Sequence, residues 1–265
     1  MNLLVVSSLT TGTTAVYLIE ALKDLGCDVH VISDIAHPLA DEIANGLLDL
    51  RRASKKRRFD ACLFVEGGTR RLFPIGMESV SFPSAWYAID THVHRALHRV
   101  TAPLFDRTFV AQREFLGDFP ADSVWLPLAA DPALFARPAE ARSIDIAYVG
   151  SDNRSAYPER ARLLDLLRGR YQNVRFGRAS PREMGALYSR AKLVFNRSVR
   201  NDVNMRCFEA MCAGAVLLTD RLHDNGLADL FEADTFVAYD DEHDLIPAID
   251  RLLADDRLRE QMGDR

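Results

Sequence analysis

Short apolar runs alternate with amphipathic segments along the whole chain. In the first half, residues 2–6, 28–33 and 60–66 have the pattern of buried strands, and residues 14–25 carry apolar side chains at helical spacing. Residues 38–58 are predicted to form one helix with a basic end. The other elements predicted in this half are a helix at 92–100 and strands at 76–82, 107–111 and 123–126. Strands that alternate with helices indicate right-handed βαβ units and parallel sheets.

A second series of strands and helices follows a segment with three prolines, residues 126–143. Its prolines and weak periodicity suit a connection between domains. In the second series, strands are predicted at 144–150, 173–177, 192–196, 215–220 and 235–239, and helices at 157–169, 181–190, 204–213, 225–231 and 242–254. We therefore expect an α/β protein of two Rossmann-like domains, residues 1–135 and 136–265, whose parallel sheets face a central cleft.

Composition and charge narrow the class of protein. The chain has 265 residues, 48% hydrophobic and 27% charged, and its formal net charge of −5 is spread over both halves. These values are typical of a globular protein and argue against a basic face for nucleic acid. No apolar run is long enough for a transmembrane segment, and the first residues lack the positive charge of a signal peptide. The four cysteines show no CxxC spacing, so we expect reduced thiols in a cytoplasmic protein.

Two loops of the second half lie where open parallel sheets bind ligands, beyond the carboxyl ends of strands. The candidate residues are Gly150, Ser151 and Arg154 in the first loop, and Gly177 and Arg178 in the second. Glycine and serine let an anion approach the backbone, an arginine adds charge-assisted hydrogen bonds, and the second loop could hold a flat base. The alternatives are a plain connection for the first loop and a Ser180 helix cap for the second.

The segment at 196–210 combines a polar loop with the start of a helix. Its candidate donor-binding residues are Asn201, Asp202, Asn204, Arg206 and Glu209. Arg206 and Glu209 are spaced i, i+3 and so share one face of the helix. A cation that holds phosphate and a carboxylate that accepts ribose hydroxyls are what a nucleoside-diphosphate pocket requires. The alternative is a solvated connection.

Three histidines and an aspartate follow an apolar stretch of the first half. Asp90 and His92 are spaced i, i+2, so the carboxylate could orient the imidazole as a catalytic base or acceptor contact. A helix cap with a surface histidine is the alternative. His92, His94 and His98 could hold a metal ion, but no HExxH pattern accompanies them. We therefore predict no metal site.

Several segments, in order, carry a resemblance to a known superfamily. The segment FEAMCAGAVLLTD (208–220) resembles the motif around the ribose-binding glutamate of GT-B glycosyltransferases of the retaining, family-four type. With ADPALF (130–135), YVGS (148–151) and PSAWYAIDTHVH (83–94), it is also similar to the spore-maturation group of glycosyltransferase-like proteins. The resemblance covers most of the chain and implies the GT-B fold. GT-B chains usually end in a helix that crosses back to the first domain, and this helix is expected to be missing here.

The resemblance also implies roles for single residues. Glu209 takes the ribose-binding place, Arg206 and Arg154 resemble the basic residues that hold the diphosphate, and the loop around Gly177 and Arg178 falls where the superfamily holds the base. The family-four motif has a second glutamate eight positions before the first. This chain has Asn201 there, with Asp202 beside it. The resemblance also implies that residues 1–135 form the acceptor-side domain and residues 136–265 the nucleotide-sugar-binding domain. In the first domain, the loop at 8–14 fits the one that approaches donor and acceptor, through Thr11 and Gly12.

The implied activity is transfer of a sugar from a nucleoside-diphosphate sugar to an acceptor hydroxyl by a hexosyltransferase-like enzyme. The resemblance favours a retaining reaction without a metal or another cofactor, whereas a base at His92 would give inversion. The expected partners are a nucleotide sugar and an acceptor that the sequence does not identify. The alternatives are a non-catalytic nucleotide-sugar-binding or assembly protein and a nucleotide-sugar epimerase on the same fold.

Overall fold

The structure is a computed structural model, and it describes residues 1–10, 13–44, 46–67, 72–137, 141–151 and 153–264. The chain divides into two compact units, Met1–Pro127 and Leu128–Arg265. Phe135 is fully buried and packs against the ring of Tyr188, with 6.2 Å between the ring centroids. Residues 128–135, which the sequence assigns to the first domain, therefore pack with the second unit.

The first unit is built on a parallel sheet of seven strands. Its elements are β1 (Asn2–Val6), α1 (Thr14–Asp24), β2 (Asp28–Ser33), β3 (Glu42–Ile43), β4 (Leu47–Asp49), α2 (Leu50–Lys56), β5 (Ala61–Val65), β6 (Phe73–Ile75), β7 (Ser84–Ala88), α3 (Thr91–Thr101), β8 (Arg107–Val110) and β9 (Val124–Trp125). The strand order is β3-β2-β1-β5-β7-β8-β9, and β4 and β6 pair separately, also in parallel. After β1 the chain builds one side of the sheet and then crosses to β5 on the other side.

The second unit has a parallel sheet of five strands. Its elements are β10 (Ile144–Val149), α4 (Pro158–Arg170), β11 (Val174–Gly177), α5 (Pro181–Arg190), β12 (Ala191–Phe195), α6 (Met205–Cys212), β13 (Val216–Asp220), α7 (Leu227–Leu230), β14 (Phe236–Tyr239), α8 (Glu242–Ala254) and α9 (Asp256–Gly263). The order β11-β10-β12-β13-β14 places a reversal of strand order between β10 and β12. In such sheets the crevice at the reversal is the usual ligand site.

Each unit has its own hydrophobic core. The side chains of Leu4, Ile32, Phe64 and Trp86 belong to the first core. Those of Ile146, Tyr148, Leu164, Phe195, Leu218 and Ile249 belong to the second. Separate cores are the physical mark of separate domains, as the two series of strands predict. Within the described part of the chain, no helix is both long and apolar enough to cross a membrane.

Two predicted elements of the first half are wrong. Residues 38–58 form β3, β4 and α2 instead of one helix, since Gly46 has φ +72°, outside the helical region. Residues 76–82 are not a strand: Gly76 has φ +74° and a single 3₁₀ turn follows it. The strand is β7, between β5 and β8. Its apolar side chains gain burial there, and that long-range contact is not visible in the local pattern.

Candidate functional site

The reversal of strand order in the second unit brings together the ends of β10 and β12. We call this place the second-unit switch point and define it by Val149, Gly150 and Asn196. Because parallel strands diverge at a reversal, the loops that follow them leave a crevice. The donor-binding residues predicted from the sequence lie at the end of β11, in the loops after β10, β11 and β12, and on α6.

Arg206 spans the second-unit switch point. Its Nε and Nη2 donate to the carbonyl oxygen of Val149, at 3.1 and 2.7 Å, and its Nη1 donates to Asn196 Oδ1 at 2.6 Å. The guanidinium also lies 4.6 Å from the centre of the Tyr148 ring. Asn204 fixes the start of α6 by accepting a hydrogen bond from the Arg206 backbone, at 3.2 Å. Arg206 therefore ties β10 to β12, a structural role that the sequence analysis missed.

Glu209 is buried on α6, one turn after Arg206. It is 4% exposed, and its carboxylate interacts electrostatically with both Arg206 and Tyr188. Burial alone would lower the pKa of Arg206, but Tyr188, Tyr148 and Glu209 outweigh it and hold that pKa above its ordinary value. The neighbouring cation explains how a carboxylate can lie among the apolar residues of this helix.

A glycine is required at position 150 because two side chains lie too close to its backbone to leave space for a Cβ atom. A Cβ atom at this position would lie 2.6 Å from Arg206 Nη2 and 2.6 Å from the Tyr148 hydroxyl. The backbone of Gly150 donates to the carbonyl oxygen of Gly177 at 2.9 Å. The Tyr148 hydroxyl donates to the carbonyl oxygen of Ser151, also at 2.9 Å. The structure thus brings Gly150, Ser151, Gly177 and Arg206 together.

The other predicted arginines lie closer to the protein surface than Arg206. Arg154 is 69% exposed and forms a two-pronged ion pair with Asp165, at 2.6 and 3.0 Å. Arg178 is exposed after the end of β11. Arg160, which the sequence also offers as a possible phosphate ligand, is buried and donates to the carbonyl oxygen of Arg197 at 2.7 Å. Its guanidinium lies 4.4 Å from the centre of the Tyr157 ring.

Asn201 joins two loops. Its Nδ2 donates to the carbonyl oxygen of His223 at 2.6 Å, and its Oδ1 accepts from the His223 backbone at 2.9 Å. Its φ is +67°, in the left-handed region that asparagine tolerates better than most residues. Asp202 beside it is buried. In this structure the amide of Asn201 is committed to the loop after β13.

Asn196 and Asp220 are two further buried polar residues, of which the sequence analysis did not select Asp220. Asn196 Nδ2 donates to Thr219 Oγ1 at 3.0 Å, and its carbonyl oxygen accepts from the Tyr239 hydroxyl at 2.6 Å. Asp220 accepts from the backbone and the hydroxyl of Ser198, at 2.7 and 2.5 Å. Both follow apolar runs at the carboxyl end of a strand, and that position was the available signal.

Asp90 precedes α3 in the first unit. Its backbone carbonyl accepts from Val93 and His94, while its side chain makes no capping hydrogen bond. Burial and the nearby charge of Glu66 raise the pKa of Asp90, and His92, His94 and His98 partly oppose that rise. His92 is partly buried. The structure therefore places Asp90 and His92 in one cluster of carboxylates and imidazoles.

Glu66 is the member of this cluster that the sequence analysis missed. Its Oε2 accepts from the backbone of Ile89 and Asp90, at 2.8 and 2.9 Å, and its Oε1 lies 3.2 Å from His98 Nε2. His98 Nδ1 lies in turn 3.1 Å from the Thr91 hydroxyl. Burial alone would raise the pKa of Glu66, but the hydrogen bonds from His98 and the backbone hold it below its ordinary value. Its signal was an acid directly after a buried strand.

The first loop of the chain gives less information. Thr11 and Gly12, predicted to approach donor and acceptor, lie outside the described residues. Among the residues that are described, no three histidines, cysteines or acids lie close enough together to hold a metal ion.

Comparisons with known proteins give the family and the fold. A profile of the family described as glycosyl transferase-like matches residues 132–265, just over half of the chain. No curated protein sequence matches the chain.

Solved structures resemble the chain along nearly all of its length. Sucrose-phosphate synthase from Thermosynechococcus elongatus superposes with a TM-score of 0.70 at 14% identity, covering 99% of this chain and 92% of that one. The Anabaena protein HepE, solved with UDP and glucose, gives 0.68 at 12%, with 99% and 92% covered. A T4 phage BGT mutant solved with UDP-glucose gives 0.61 at 12%, with 100% and 93% covered. These likenesses establish the GT-B fold, and with the match of the family profile the chain belongs to the glycosyl transferase-like family.

Proposed function

We propose that the protein transfers a sugar from a nucleoside-diphosphate sugar to an acceptor hydroxyl, with the donor held by the second unit. The observation that carries the proposal is the grouping of Arg206, Gly150 and Glu209 at the second-unit switch point. Gly150 lets the Arg206 guanidinium lie against the backbone at the crevice, Arg206 supplies positive potential for the diphosphate, and Glu209 accepts hydroxyl hydrogen bonds from the ribose.

The chemistry follows from the charge that develops during transfer. As the bond between the anomeric carbon and the diphosphate breaks, negative charge grows on the departing oxygens. The Arg206 guanidinium and the positive end of the α6 helix dipole stabilise that charge, so the proposed reaction needs no metal. We further propose retention of the anomeric configuration, with the departing diphosphate taking the proton of the acceptor hydroxyl and with Asp90 and His92 contacting the acceptor. A β-configured product from an α-configured donor would instead assign His92 the role of base in an inverting reaction.

Binding of the nucleotide tests the site. A thermal-shift screen against nucleoside diphosphates and their sugars identifies the donor, because a ligand of the folded form raises the melting temperature. We expect Glu209→Ala to weaken that donor's binding by more than tenfold in calorimetry. Glu260→Ala, an exposed acid on α9, is the matched control and should leave the affinity unchanged. Equal affinities for wild type and Glu209→Ala would remove Glu209 from the site.

A second candidate function is nucleotide-sugar binding without transfer, and the position of Asn201 favours it. The side chain that the family-four motif uses near the transferred sugar is replaced here by an amide bonded to His223. Incubation of the protein with donor and water, and then with acceptors, separates the possibilities. A glycosylated acceptor supports the transferase, an epimerised nucleotide sugar indicates an epimerase, and donor binding without any product indicates a binding protein.

A further inference from the structure

A pocket lies inside the first unit, where its own strand order reverses between β1 and β5. It encloses about 540 Å³ of empty space, part of it open to solvent. Most of its wall is apolar and comes from β5, β6, β7, α3 and the turn after α3. The wall includes Phe64, Leu72, Phe73, Trp86, Leu97 and Phe105. Since Phe73 is 36% exposed, the wall that it forms reaches the surface of the unit.

The end of the pocket at the strand termini is polar. Ser7 and Ser8 follow β1, line the pocket and are each only 2% exposed. Among the described residues, neither hydroxyl oxygen has a hydrogen-bond partner. Glu66 lines the same end, and its Oε1 faces His98 at ion-pair distance. A buried hydroxyl without a partner is unfavourable, so two neighbouring ones point to a ligand that supplies the missing hydrogen bonds.

The close approach of two loops fixes this polar end. A Cβ atom on Gly67 would lie 2.5 Å from Ser8 Cβ and 2.7 Å from the Ser8 backbone nitrogen. Gly67 therefore lets the loop after β5 contact the loop after β1. The serine hydroxyls and the Glu66 carboxylate are held on neighbouring strand ends, on rigid backbone rather than on a free loop.

We propose that this pocket binds the acceptor, and that the acceptor is an alcohol or phenol carried on a compact apolar body. The inference rests on the proposed glycosyl transfer and adds the chemical class of the acceptor. The apolar body packs against Trp86, Leu97 and Phe105, while its hydroxyl bonds to Ser7, Ser8 and Glu66. Pockets with mostly apolar walls and a few convergent polar groups are typical of small-molecule sites.

Trp86 provides a direct test of binding. The chain has two tryptophans, so in a Trp125→Phe background the fluorescence reports Trp86 alone. We expect 4-bromobenzyl alcohol to quench that fluorescence saturably, since its heavy atom contacts the indole. Glycerol, which has hydroxyls but no apolar body, should not compete with it. Absence of saturable quenching, or equal competition by glycerol, overturns the proposal.

Two variants on one helix locate the site. Leu97→Phe fills the pocket and should weaken binding of 4-bromobenzyl alcohol at least tenfold. Val93→Phe adds the same ring to α3 at a position that is 51% exposed and is the matched control. Ser8→Ala, which adds no volume, should weaken binding of the alcohol about three- to tenfold while leaving the affinity for 4-bromotoluene unchanged. Equal effects of Leu97→Phe and Val93→Phe, or equal loss of both ligands in Ser8→Ala, contradict the assignment.

The role as acceptor is tested separately. The titrations contain no donor, so they do not depend on whether transfer occurs. With the donor found by thermal shift, formation of the glycosylated benzyl alcohol by wild type, and its loss in Leu97→Phe, support the acceptor role. A donor that is transferred to sugars or water but never to alcohols bound in the pocket overturns that role, while the glycosyltransferase function stands.

Discussion

Arg206 gives the sharpest test of the second unit, because sequence and structure assign it different principal roles. As a phosphate ligand alone, it would be dispensable for folding. In the structure its side chain connects Val149 and Asn196 and lies over the Tyr148 ring. The perturbation is Arg206→Met, which keeps the length and removes the charge and every hydrogen bond. Arg206→Lys keeps the charge but loses the planar guanidinium and its fixed set of N–H donors.

The size of the effect follows from the interactions that the substitution removes. A hydrogen bond from a charged donor contributes about 1.5–3 kcal/mol, and Arg206 serves two acceptors with three N–H groups. Its interaction with the Tyr148 ring adds roughly 0.5–2 kcal/mol. Removing one member of a buried charged pair typically costs about 3–5 kcal/mol. Because Arg206 is only partly buried, we expect the low end, about 3 kcal/mol, for Arg206→Met, and about half that for Arg206→Lys.

Hydrogen exchange followed by mass spectrometry measures this effect locally. Peptides from β10 and α6 should exchange faster by roughly two orders of magnitude in Arg206→Met, since each 1.4 kcal/mol corresponds to about tenfold. Peptides from β1 and β5 in the other unit are the internal reference. Arg154→Met removes an exposed arginine from the same unit and should change exchange by less than about fivefold. If Arg206→Met behaves like Arg154→Met, the structural role assigned to Arg206 is refuted.

Three further substitutions test other parts of the structure. Gly150→Ala should lower the free energy of unfolding by about 1–3 kcal/mol, because the added Cβ would meet Arg206. Urea denaturation followed by circular dichroism measures this change. An unchanged free energy would mean that the neighbouring side chains relax freely. Asn201→Ala should lower the free energy of unfolding by about 1–2 kcal/mol in the same assay, because the backbone of His223 loses two hydrogen bonds. An unchanged denaturation midpoint would contradict this role of Asn201. Glu66→Gln should cost about 3 kcal/mol at pH 7. Since the native pKa of Glu66 lies below its ordinary 4.5, the stability that it contributes is present above pH 4.5 and is lost as the pH falls through the native pKa. The difference between wild type and this variant should therefore shrink below pH 4.5, and a constant difference would refute the pairing.

The sequence predicts the alternation of strands and helices well because each buried strand is a short apolar run with its own signal. All five strands of the second unit lie where this pattern places them, to within a residue or two. The errors occur where long-range packing decides. Strand β7 is central in its sheet, yet its sequence carried candidate chemistry and was not recognised as a strand. Residues 38–58 have helical periodicity, and Gly46 interrupts it with a backbone conformation that no pattern of apolar residues reveals.

The candidate site was predictable in position but not in its connections. The rule that ligands bind beyond the carboxyl ends of parallel strands selected the loops around Gly150, Gly177 and Arg206, which the structure brings together. It did not show that Arg206 bonds to Val149, since that hydrogen bond spans 57 residues. Nor did it show that Asn201 bonds to the loop after β13. At φ +67° the asparagine both donates to and accepts from the backbone of one residue, which an ionised glutamate cannot do.

Each unit stabilises the carboxyl ends of its strands with a charged side chain, Arg206 in the second unit and Glu66 in the first, and the opposite signs match the proposed places of donor and acceptor. In the second unit Arg206 bonds to carbonyl oxygens and leaves positive potential beside the crevice, where a departing diphosphate gathers negative charge. In the first unit Glu66 bonds to N–H groups, and its negative charge helps to raise the pKa of Asp90. A carboxylate with a raised pKa accepts a stronger hydrogen bond from an alcohol. Exchanging the signs would repel the leaving group in the second unit and weaken the hydrogen bond to the acceptor in the first, so this arrangement of charges suits the proposed places of donor and acceptor.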